Sequence, residues 1–150
     1  MALGLAFHTL AAVLWVGGIF FAHMVLRPSA LPLEPPIRLK LWQRAFSRFF
    51  PWVWLFIATL LATGFGMVFF GFGGFAAARL YIHLMTGLGL AMVAIFGHLY
   101  FAAWPRFRRA VDAPDWPLAA AKLASIRRLV TINLALGIAT VLIAGGGRYW

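Results

Sequence analysis

Residues 1–26, MALGLAFHTLAAVLWVGGIFFAHMVL, carry no Lys, Arg, Asp or Glu. A stretch of this length supplies the roughly 20 apolar residues that an α-helix needs to cross the hydrocarbon of a bilayer. Residues 49–78, 80–105 and 129–147 are equally free of charge. The charges therefore cut the chain into four expected spans, approximately 2–26, 50–71, 80–103 and 128–147. Such a pattern predicts an all-α integral membrane four-helix bundle, a single transmembrane domain over 1–150 with no room for a soluble one. Composition agrees, because only 11% of the residues are charged, against about a quarter in a soluble domain. The opening "MALGLAFHTL" lacks a basic leader and its apolar run is long for a signal peptide, so it reads as a retained helix. With no cysteine in the chain, disulfides, thiolate metal sites, iron–sulfur clusters and C-x-x-C-H haem attachment are excluded.

The net charge of +10 is unevenly distributed. Residues 27–48 hold Arg27, Arg38, Lys40, Arg44 and Arg48 against Glu34. Residues 106–128 hold Arg106, Arg108, Arg109, Lys122, Arg127 and Arg128 against Asp112 and Asp115, leaving Arg79 and Arg148 for the opposite side. This is the positive-inside asymmetry. It predicts a multi-pass inner (cytoplasmic) membrane protein with both basic loops cytoplasmic and both termini on the non-cytoplasmic side. The partner expected for the loops is the lipid bilayer with its anionic lipids, not nucleic acid.

Within the first loop, IRLKLWQRAFSRFF (37–50) is amphipathic and reads as an interfacial helix, with Trp42, Phe46 and Phe49 opposite Arg44 and Arg48. Pro51 suits the first turn of the second span. GFGGF (71–75) reads as a tight turn, and the Ala-rich stretch after Pro117 starts the fourth helix early. Trp42, Trp52, Trp54, Trp104 and Trp150 are expected as interfacial anchors. A faint repeat links the two halves. FAH at 21–23 returns as FGH at 96–98, and IATLLATG at 57–64 returns as IATVLIAG at 138–145. Two parallel helix-hairpin repeats are implied, with the first and third spans in equivalent places.

The four histidines fall on those two spans alone, as His8 and His23 and as His83 and His98. Fifteen residues of helix leave the members of each pair about 60° apart and about 22 Å apart along the axis. In an up-down-up-down bundle His8 then lies level with His83, and His23 with His98. Two facing imidazoles per leaflet suggest two bis-His b-type haems. Gly17 and Gly18, with Gly87 and Gly89, give flat space for a porphyrin, while Arg79 outside and Arg27 and Arg106 inside suit the propionates. The function expected is a membrane cytochrome moving electrons across the bilayer, with quinol or a periplasmic redox protein as partner. Whether it is itself an oxidoreductase stays open, as does a homo-oligomeric state. The alternative cargo is copper, which suits histidine with Met24, Met67, Met85 and Met92 on the spans. A histidine in a span also simply hydrogen-bonds a neighbouring helix without any ligand. Soluble catalysis is excluded, since no Ser–His–Asp set, P-loop or carboxylate pair is present and the three acids lie in loops.

The run His8…Trp15-Val16-Gly17-Gly18 resembles the start of the copper-resistance D (CopD) family, in which a His precedes W-x-G-G on the first span. A second similarity is to HemJ, a four-helix membrane protoporphyrinogen oxidase, on His8, Trp15 and Gly97-His98. Here His23-Met24 stands where HemJ has Pro-Arg, and no lysine opens the third span. The resemblances imply copper handling or porphyrinogen oxidation, and the additional His23 and His83 favour a second metal or haem site.

Overall fold

The computed structural model describes residues 1–149, the Arg148 side chain excepted; Trp150, one of the expected anchors, lies outside the described residues. Four long helices follow one another: α1 (Ala2–Ala30), α2 (Pro35–Gly71), α3 (Leu80–Asp112) and α4 (Trp116–Gly146). Each is long and apolar enough to cross a membrane, and no strand occurs among the described residues. Gly73 and Gly74 have φ of 77° and 92°, a left-handed region open to glycine, and this lets the chain turn sharply between α2 and α3. At the other end Asp115 caps α4, its carboxylate accepting from Leu118 N at 3.1 Å, one residue ahead of Trp116-Pro117.

All four helices run further than the charge-free stretches. At 37 residues α2 is about 55 Å long, well beyond the roughly 30 Å of hydrocarbon. The amphipathic segment 37–50 is therefore no separate interfacial helix but the first turns of α2, and Pro51 sits inside that helix instead of at its start. Packing explains this. Leu39, Trp42, Phe46 and Phe50 are buried, and the face that would have lain on lipid is covered by the extension of α3. Phe46 meets Trp104 and Phe107 edge to face, with centroids 5.9 Å and 6.3 Å away. Trp42 and Trp104, expected as interfacial anchors, are core residues at 5% and 6% exposure, while Trp52 does point outward.

Both α1 and α3 contain a π-helical turn, at Ala22–Leu26 and Leu99–Ala103. Each ends two residues before a proline, Pro28 or Pro105. A proline ring collides with the carbonyl four residues back and offers no N–H. Widening the preceding turn to i→i+5 bonding relieves that conflict without ending the helix. The device occurs once per half, as an internal repeat would have it.

Helix α1 lies along α2, and α3 along α4, so each half is a helical hairpin. Helix α4 also approaches α1 and α2, which leaves α1 and α3 on the long diagonal of the bundle. They touch through Trp15 and Phe96, ring centroids 6.4 Å apart. The core is concentrated towards the basic end. Phe50 packs on Phe96 and Trp104 at 5.5 Å and 5.4 Å, and Trp54 on Phe96 at 5.3 Å. Asn133 of α4 is the buried polar residue, donating from Nδ2 to the Met92 carbonyl of α3 at 3.2 Å.

Candidate functional site

His8 is half-buried on the seam between α1 and α2, near the end opposite the basic loops. The small residue Gly64 makes room for it. A Cβ at that position would lie 3.1 Å from His8 Cε1, so the ring rests directly on the α2 backbone. One residue earlier, Thr63 Oγ1 is 2.9 Å from His8 Nδ1. The hydroxyl proton of Thr63 is already committed, being donated to the Thr59 carbonyl at 2.6 Å. With its proton assigned to that bond, the oxygen accepts from His8 Nδ1, which assigns the ring the tautomer protonated on Nδ1. The consequence is chemical. A neutral imidazole protonated on Nδ1 carries its lone pair on Nε2, the state in which histidine ligates a metal.

Two thioethers share this seam. Met67 of α2, one turn from Thr63, packs on Gly4 of α1, where a Cβ would meet Met67 Cγ at 4.0 Å. Met1 in turn packs its sulfur against Gly71, a further turn along α2. Met1, Met67 and His8 thus stand at roughly one-turn intervals of about 5.4 Å along one interhelical line.

The remaining histidines are placed differently. His23 is half-buried inside the first π turn, without a hydrogen-bond or ring partner among the described residues. His83 is exposed and tilts against Phe75, centroids 5.7 Å apart. His98 is exposed at the end of its α-helical run, just before the second π turn. No histidine contacts another, and no group of three or more His or acidic residues capable of holding a metal occurs among the described residues. The face-to-face imidazole pairs expected from the spacing are therefore not formed within the bundle. The reason is the diagonal: Trp15 and Phe96 fill the space between α1 and α3.

The residues expected to cradle a porphyrin are likewise not brought together. Gly18 is occupied by Phe49, whose Cζ would lie 2.5 Å from an added Cβ. Gly17, Gly87 and Gly89 have no atom within 4 Å of such a Cβ, and Gly17 and Gly87 are exposed. Arg27, Arg79 and Arg106 are exposed too, with Arg79 at the N-terminus of α3.

Sequence reasoning missed Thr63 and Gly64, although the repeat contained the signal. Ala144-Gly145 stands in the second half where Thr63-Gly64 stands in the first. His83, the counterpart of His8, consequently lacks a hydroxyl to bind, and an added Cβ at Gly145 meets nothing within 4 Å. The two halves share a backbone plan but only the first seats its histidine.

These features define a polytopic helical membrane protein with one imidazole seated in an interhelical seam. The chain belongs to the copper resistance protein D (CopD) family, whose model matches residues 43–146. No curated protein and no solved structure matches it.

Proposed function

We propose that the protein handles copper in the membrane, with His8 as the central ligand and Met67 and Met1 as softer donors leading to it. The observation that carries this reading is the Thr63 hydrogen bond, which frees His8 Nε2 on a line of thioethers. Imidazole and thioether together suit copper, and thioethers in particular suit Cu(I). Membership of the copper resistance family supports the same cargo. The charge asymmetry supports an inner-membrane orientation with the basic loops cytoplasmic, so that the seam opens on the non-cytoplasmic side. Copper is cargo here, and no side chain need act as acid or nucleophile.

The test is copper uptake by the purified protein in lipid nanodiscs, followed by metal analysis for copper and iron. Wild type should retain copper in stoichiometric amount, His8→Ala should lose it, and Met67→Leu should bind it more weakly. Copper retention unchanged in His8→Ala would overturn the assignment. The second reading is the two-haem cytochrome, supported by the equal spacing of the histidine pairs and by the free Nε2 of His8. It requires a red protein with a reduced-minus-oxidised Soret band, and His23→Ala removing about half of the haem. A colourless preparation excludes it.

A further inference from the structure

At the basic end, α2 and α3 border an open surface groove of about 420 Å³ lined by Gln43, Arg44, Ser47, Trp104, Arg108 and Asp112. Two guanidiniums, Arg44 and Arg108, border it from different helices, and neither forms an ion pair or side-chain hydrogen bond among the described residues. The one acid present has its partner within the lining: Asp112 Oδ1 accepts from Gln43 Nε2 at 2.7 Å. That bond ties α2 to α3 and leaves Asp112, a lining residue, with further acceptor capacity. The Ser47 hydroxyl donates to the Arg44 carbonyl at 2.9 Å, so its oxygen too offers only acceptor capacity. The groove thus combines two unpaired cations with acceptors suited to hydroxyl groups.

Its apolar continuation gives the second half of the argument. Trp54 lies seven residues beyond Ser47, and Phe101 seven residues before Arg108, each about two turns, or about 10 Å, deeper in the bilayer. They contact one another, centroids 5.9 Å apart, and Phe101 is 70% exposed. A polar groove with two arginines therefore opens onto an aromatic seam that faces hydrocarbon. Free phosphate would use the first part and have no use for the second. A choline headgroup would set its own cation beside Arg44 and Arg108.

We propose that this groove binds one anionic glycerophospholipid, with its phosphodiester on Arg44 and Arg108, its headgroup hydroxyls on Asp112 and Ser47, and an acyl chain over Trp54 and Phe101. The site fastens α2 to α3 at the end where the helices project from the membrane.

Native mass spectrometry of the detergent-solubilised protein with equimolar phosphatidylglycerol and phosphatidylcholine of identical chains tests it. Wild type should retain phosphatidylglycerol preferentially, and millimolar inorganic phosphate should not displace it. Each of Arg44→Gln and Arg108→Gln should lower that preference about fivefold, while Arg128→Gln, also an exposed cation, should leave it unchanged. Both arginines are exposed, so helicity by circular dichroism should stay at the wild-type level. Equal retention of the two lipids, an unaltered preference in the double variant, or displacement by phosphate alone would overturn the proposal.

Discussion

Replacing Thr63 by Val removes one hydroxyl and keeps the side-chain shape, so it isolates the contact that orients His8. Two effects of different size should follow. Interhelical hydrogen bonds inside bilayers contribute about 0.6 kcal/mol on average and at most about 1.7. The bundle should thus lose about 1 kcal/mol, and its helicity should persist. The effect on the imidazole is larger in kind. With Thr63 Oγ1 gone from its place 2.9 Å from Nδ1, the ring is free to rotate and to exchange tautomers. Losing the outer partner of a ligating histidine lowers metal affinity about 10- to 100-fold, so Cu(I) binding should weaken by at least tenfold. The ring itself provides a readout that does not depend on copper. Nitrogen-15 spectra of histidine-labelled protein in bilayers should show the His8 proton on Nδ1 in wild type and a mixed population in Thr63→Val. Thr63→Ser, which keeps the oxygen and its bond to the Thr59 carbonyl, should restore both. A wild-type ring protonated on Nε2, or a Thr63→Val protein that binds copper as tightly as wild type, would refute the reasoning.

Other substitutions probe the packing. Gly18→Leu drives a side chain into the Phe49 ring and should cost about 1–3 kcal/mol, whereas Gly17→Leu, which meets nothing, should stay within about 0.5 kcal/mol of wild type in detergent unfolding. Asn133→Leu removes the Nδ2 bond to Met92 but also a buried Oδ1 that has no partner among the described residues, so thermal stability should hold or rise; a loss above about 2 kcal/mol would assign that oxygen a hidden role. Trp15→Ala empties the centre of the α1–α3 diagonal and should cost about 3–5 kcal/mol, read as a lower melting temperature. Asp115→Ala removes the cap of α4 and should cost about 1 kcal/mol, with amide exchange rising first at Trp116–Ala119.

The sequence alone determined the number of spans and their approximate places, because charges are excluded from hydrocarbon and each gap between them is long enough to cross it. It also made the hairpin repeat legible, and placed all four imidazoles on α1 and α3, since period and spacing are properties of a single helix. Which helix each face meets is decided between segments. Spacing puts His8 on a face of α1, but only tertiary packing gives that face to α2 and to Thr63, and not to His83 across the bundle. The same holds for the aromatic residues at the basic end. Trp42, Phe46 and Trp104 have the composition of a membrane-surface stripe, and burial against one another turns them into core. Whether a proline such as Pro28 or Pro105 ends a helix or widens one turn depends on whether the neighbouring helices continue to pack beyond it. Here they do, and the chain stays helical through both.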